Sequence, residues 1–124
     1  MRPKSGTLTG QELEIMKVIW PRGQATLREV YDELKARRTV AYTTVQTMMN
    51  ILETKGHLKR EPGQQANVYA PVRPQQLVVR SMVREFVNRV FDGSTRPLLV
   101  HLLKEKGLTE RERRELQKLL DKEE

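Results

Sequence analysis

Apolar residues recur along most of this chain with the period of an amphipathic helix, and along one stretch with the shorter spacing of strands. Val45, Met48, Met49 and Leu52 fall at i, i+3, i+4 and i+7, one face of a helix over residues 41–55 that Gly56 closes as a C-terminal signal. Upstream, Thr9 and Glu12 have the spacing of a capping box. They open a helix through Leu13, Met16 and Trp20, widened by Ile15 and Ile19, which Pro21 and Gly23 are expected to stop. Thr26 and Glu29 repeat the box and start a second helix with Leu27, Val30, Tyr31 and Leu34 inward. Thr43 and Gln46 form another such pair, so the start of the helix over 41–55 stays open: Gln46 and the threonines either cap it or face outward.

The period then changes. Residues 58–61 and 67–70 predict short strands around a turn-rich link at 62–66, and Pro71 and Pro74 bracket a boundary. Beyond it, a long helix from Gln75 to Phe91 carries Val79, Met82, Val83, Phe86, Val87 and Val90. A short helix near Pro97 carries Leu99 and Leu102 and ends at Gly107, and a last one, opened by Thr109 and Glu112, carries Leu116, Leu119 and Leu120. The expected fold is mainly α: a winged helix-turn-helix with a small β-hairpin wing over residues 1–73, then an α-helical segment over 74–124. So much apolar surface on short helices calls for a partner, and a second copy is the most economical one. The apolar residues named in this segment are therefore the expected dimerisation surface.

The outer face of the helix over 41–55 departs from that of an ordinary surface helix. Thr43, Thr44, Gln46, Thr47 and Asn50 are uncharged hydrogen-bonding residues with no carboxylate among them, and Tyr42 stands at the head of the run. A helix that approaches phosphates and offers donors, acceptors and methyl groups to base edges needs such a face. Lys59, Arg60, Gln64 and Gln65 in the wing, with Arg37 and Arg38 just before the helix, are the candidate phosphate contacts. The net charge of +7 favours an anionic partner, and residues 1–73 hold +5 of it against +2 in the remainder.

Other chemistry is sparse. With no cysteine there are no disulfides, thiolate metal sites or cysteine nucleophiles. His57 and His101 are far apart and read as structural or solvated. Neither a glycine-rich phosphate loop, nor a serine elbow, nor a metal signature is present, so no enzyme, cofactor or metal is expected. Without a signal-peptide core or an apolar run near the roughly 18 residues of a membrane span, the expected location is the cytoplasm, with no membrane insertion.

The residues also resemble the penicillinase-repressor (BlaI/MecI/CopY) family of bacterial transcription factors. The matching pieces are Leu8 and Thr9 with Glu12 and Glu14, Val18-Ile19-Trp20, Ala41-Tyr42-Thr43-Thr44-Val45, Leu52 with Lys55-Gly56, and Tyr69. The resemblance implies a homodimeric repressor whose winged helix binds an operator dyad. It also implies, for antibiotic-responsive members, a sensor protease system that triggers a cut in the C-terminal segment. The matching place here is at His101 and Leu102, where the flanking residues differ from the family's Asn and Phe. Thiolate copper sensing, as in the copper-responsive members, is excluded by the absence of cysteine.

The expected function is thus a transcriptional repressor that binds a palindromic operator on double-stranded DNA as a homodimer and is released by an unidentified signal, proteolysis of the C-terminal segment being one route. Two alternatives share the fold: a winged-helix protein-docking module, and a sequence-independent architectural DNA-binding protein. A docking face should expose apolar anchors where this helix carries threonines.

Overall fold

The structure, a computed structural model, describes residues 7–123; the basic arm over residues 1–6 lies outside it. The chain divides into two compact units, one reaching to Val78 and one from Val79 onward.

The first unit begins with α1 (Gly10–Arg22), and its capping box forms as the spacing predicts. Thr9 Oγ1 accepts from the Glu12 amide at 3.1 Å, and Glu12 Oε1 accepts from the Thr9 amide at 2.9 Å. Ile15, Met16, Val18 and Ile19 are buried on its inner face. Pro21 does not stop the helix. It lies within the last turn, where the loss of one amide donor is tolerated, and Gly23 at φ 82° makes the stop by donating to the carbonyls of Ile19 and Trp20.

A two-residue strand, β1 (Ala25–Thr26), leads into α2 (Leu27–Lys35), with Thr26 as both the end of the strand and the helix cap. After a short turn come α3 (Tyr42–Thr54), β2 (Leu58–Glu61) and β3 (Val68–Pro71). The sheet is antiparallel in the order β1-β3-β2, with Ala25 opposite Tyr69 and Leu58 opposite Pro71. The sequence pattern did not show β1, since two residues have no period to read. In the link between β2 and β3, a Cβ on Gly63 would stand 2.3 Å from the Ala66 carbonyl oxygen, so this turn closes only around glycine.

Three helices backed by this sheet make a winged helix-turn-helix. Met16, Ile19, Val30, Leu34, Met49 and Leu52 are almost wholly buried at its centre. Each such side chain contributes about 1.5–3 kcal/mol relative to leaving it in water. The Trp20 indole N–H donates to the Arg73 carbonyl at 3.1 Å and ties the chain leaving β3 back to α1.

In the second unit, the later turns of α4 (Gln75–Phe91) are followed by α5 (Arg96–Lys104) and α6 (Glu110–Glu123). Asp92 at φ 53° and Gly93 at φ 87° reverse the chain after α4. The capping box of Thr109 and Glu112 forms at the head of α6. Val87, Leu99 and Leu120 are buried within this unit, α5 packs on α6, and the Arg113 guanidinium donates to the Leu103 carbonyl. No helix among the described residues is long and apolar enough to cross a membrane.

Candidate nucleic-acid interface

α3 starts at Tyr42, and the alternative start at Thr43 and Gln46 is not used. Ala41 is the N-cap with no side-chain cap, and its carbonyl accepts from the amides of Thr44 and Val45 at 3.1 and 3.2 Å. Because Ala41 already stands at the cap, neither threonine nor Gln46 is spent on the backbone. The Tyr42 ring meets the Tyr31 ring edge-on at 5.2 Å, a contact between α2 and α3 that fixes where the helix begins. The other end finishes at Lys55, and Gly56 follows at φ 87°.

With that start, the two faces of α3 separate cleanly. Val45, Met49 and Leu52 are buried and Met48 is half-buried, while Thr43, Thr44, Gln46, Thr47 and Asn50 are all exposed. Two residues outside that list share the outer surface. Ile51 is 37% exposed, a large apolar side chain one turn beyond Thr47. Glu53 continues the line of Gln46 and Asn50 at i, i+4, i+7, so this face does carry a carboxylate at its far end.

The basic candidates flank α3, and each is engaged by a carboxylate. Arg38, in the turn before α3, donates from Nε and a terminal nitrogen to the Glu14 carboxylate at 3.0–3.3 Å. Arg37 meets Glu33 at 2.7 Å, and Glu33 also takes Arg22 at 3.1 Å. On β2, Arg60 meets Glu53 at 2.7 Å and lies 5.8 Å from the centre of the Tyr69 ring. The hydrogen bond that Arg60 donates to Glu53, with the electrostatic influence of Tyr69 and of the Glu53 carboxylate, holds its guanidinium more firmly protonated than usual. Lys59 approaches Glu61 at 3.8 Å. Gln64 and Gln65 are exposed in the link of the wing.

One further pair is buried. Lys55 Nζ lies 2.8 Å from Glu12 Oε1, the same oxygen that accepts the Thr9 amide, and the Glu12 side chain is only 3% exposed. Burial pushes the Glu12 carboxyl up, but the Lys55 ammonium and the Thr9 amide outweigh it and hold it below the ordinary glutamate range. The cap of α1 and the end of α3 are thereby locked together. Sequence reasoning could not see this, because the partners are 43 residues apart.

The remaining candidates fall in the second unit. Val79, Val83, Phe86 and Val90 lie at i, i+4, i+7 and i+11 and are 40–49% exposed, forming one apolar stripe along α4. Met82 and Leu116 are half-buried, Leu102 and Leu119 are exposed, and Val87, Leu99 and Leu120 face inward. His101 and Leu102 sit within α5, with the His101 ring 5.9 Å from Phe91. His57 is buried beside the wing, its amide bonded to Leu52 and its carbonyl to Val72.

The match to known proteins follows this architecture. A model of the penicillinase-repressor family matches residues 8–122. The chain belongs to the penicillinase-repressor family. The penicillinase repressor of Bacillus licheniformis is 30% identical over 114 residues, covering 92% of this chain and 89% of its own. The transcriptional regulator BlaI of Mycobacterium tuberculosis is 35% identical over 101 residues, covering 80% of this chain and 73% of its own. Among solved structures, the DNA-binding domain of the repressor BlaI is 34% identical, with a TM-score of 0.54 over 60% of this chain and 90% of its own. The monomeric form of Bacillus licheniformis BlaI in complex with the blaP half-operator gives a TM-score of 0.53 at 34% identity, over 59% of this chain and 89% of its own. In this penicillinase-repressor chain the residues that carry the resemblance have structural work: Glu12 pairs with Lys55, Glu14 with Arg38, and Trp20 with the Arg73 carbonyl.

Proposed function

We propose that this chain is a DNA-binding transcriptional repressor that acts as a homodimer on a palindromic operator. The observation that carries the reading is the separation of faces on α3: a hydrogen-bonding outer surface, uncharged from Thr43 to Asn50, over a buried apolar one, in a fold whose relative was solved on a half-operator. In this reading α3 enters the major groove, with Thr43, Thr44, Gln46, Thr47 and Asn50 toward base edges and Tyr42 at its head. The wing follows the backbone through Lys59, Arg60, Gln64 and Gln65, and Arg37 and Arg38 reach phosphates on the other side.

The α4 stripe of Val79, Val83, Phe86 and Val90 supports a pairing surface for two subunits, joined by Met82, Leu102, Leu116 and Leu119. Val87, Leu99 and Leu120 back that surface from inside. Two linked half-site contacts bind far more tightly than one, so any signal that separates the subunits releases the operator. A sensor protease cutting between His101 and Leu102 would act in this way. Both residues are helical, so such a cut requires α5 to open locally first.

Thr44→Ala and Gln46→Ala test the base-reading assignment. In a gel-shift competition between a site selected from a genomic library and random duplex, each should lower discrimination by about fivefold or more, the value of a lost base contact. Wild-type discrimination in both variants would refute it.

A further inference from the structure

Arg38 and Arg60, the two arginines nearest the ends of α3, are each held by a carboxylate on the same surface: Glu14 at 3.0 Å and Glu53 at 2.7 Å. Both acids are about one-third exposed, so neither is a core residue that needs its partner in order to stay folded. Glu53 lies on the line of Gln46 and Asn50, within the face offered to DNA. Glu14 reaches Arg38 from α1, where the turn before α3 begins. A guanidinium has five donors, and the pairing leaves some of them able to reach a phosphate. A phosphate bound by the same guanidinium would lie within one Debye length, about 8 Å, of the carboxylate, close enough to feel its repulsion.

We propose that Glu14 and Glu53 are built-in competitors of DNA phosphate, lowering the sequence-independent affinity of this surface. The inference rests on the DNA-binding reading above and concerns how strongly that site binds. Arginine supplies geometry at both ends of α3, while the paired acids cancel much of the charge that would otherwise hold the protein on any duplex. The basic count of the first unit therefore overstates its electrostatic grip. Occupancy is left to depend on the hydrogen-bonding residues of α3 and on subunit pairing.

The test measures binding of a labelled random-sequence duplex by fluorescence anisotropy from about 50 to about 200 mM salt. It compares the full chain with Glu14→Gln, Glu53→Gln and the double variant. Glutamine keeps the shape and the oxygen acceptor and removes only the charge. Each single change should tighten binding about two- to fivefold, the range set by exposed ion pairs, and the pair about four- to 25-fold. The slope of log affinity against log salt should steepen by about 0.9 per substitution. Glu85→Gln on α4, whose acid makes no ion pair among the described residues, controls for overall charge and should leave affinity within twofold or so.

Unchanged or weaker binding by the double variant, with its melting temperature intact, overturns the proposal, because the acids would then be positioning the arginines. Equal tightening by Glu85→Gln overturns it as well. A wild-type chain that fails to bind the duplex even at the lowest salt removes the DNA-binding reading itself. That result is distinct from a salt-dependent wild type that the variants merely match.

Discussion

Lys55→Ala isolates the energetics of the buried pair. The substitution removes the ammonium and leaves the Glu12 carboxylate, 3% exposed in the intact pair, with the Thr9 amide as its remaining partner. Stranding a buried charge entirely costs about 3–5 kcal/mol, and a hydrogen bond to a charged group is worth about 1.5–3 kcal/mol. Since the amide bond persists and Lys55 was itself 28% exposed, we expect about 2–3 kcal/mol. A winged helix of this size has roughly 4–10 kcal/mol in all, so its melting temperature should fall by about 8–24 °C. Glu12→Gln should cost less, because a partly exposed ammonium can swing into water whereas a buried carboxylate cannot. The penalty must also depend on pH. The Glu12 carboxyl is held below its ordinary value in the wild type, so its contribution is complete above about pH 4.3 and fades as pH falls through the lowered value. Without Lys55, the hydrogen bond and the charge that chiefly oppose burial are gone and the carboxyl titrates higher than in the wild type, so the gap between variant and wild type should close as pH drops from about 7 toward 4. Thermal unfolding followed by circular dichroism at several pH values reads both quantities. A gap that stays constant with pH, or a Glu12→Gln variant less stable than Lys55→Ala at pH 7, would refute the reasoning.

Two further outcomes follow from contacts described above. Trp20→Phe keeps most of the ring but leaves the Arg73 carbonyl without its indole donor, so the winged helix should lose about 1 kcal/mol, seen as a melting temperature lower by about 4–8 °C. Val83→Asp places a charge in the exposed α4 stripe, where it should change the stability of a single chain by no more than about 0.5 kcal/mol. It should nonetheless weaken self-association by about tenfold or more in sedimentation; an unchanged dissociation constant would rule out the stripe as the pairing surface.

Features carried by neighbours in sequence were legible. Capping boxes at Thr9, Thr26 and Thr109 form as their spacing predicts, and α4 runs from Gln75 to Phe91 as its apolar period requires. What escaped depends on residues that meet only in the fold. The start of α3 is set at Ala41 with the Tyr42 ring against Tyr31, so the local capping signal at Thr43 loses to a tertiary contact. Strand β1 exists only because β3 offers it an edge. The outer face of α3 was readable from composition and period, but the pairing of its flanking arginines was not. Glu14 and Arg38 are 24 residues apart, and no local rule joins them. Glu53 was legible in principle, seven residues beyond Gln46 on the same helical line.

Thr26 has a consequence that reaches past its own hydrogen bonds. It pairs with Val68 at the central strand of the sheet and caps α2 by accepting the Glu29 amide. A strand end and a helix start share one residue, so neither can fray alone. Peeling β3 from β1 removes the support of the cap, and loosening the first turn of α2 frees the sheet edge. The amides of Glu29 and of the β1-β3 pairing should therefore exchange with solvent as one cooperative opening. A load placed on the wing is then felt first by α2, the helix that sets up the turn before α3.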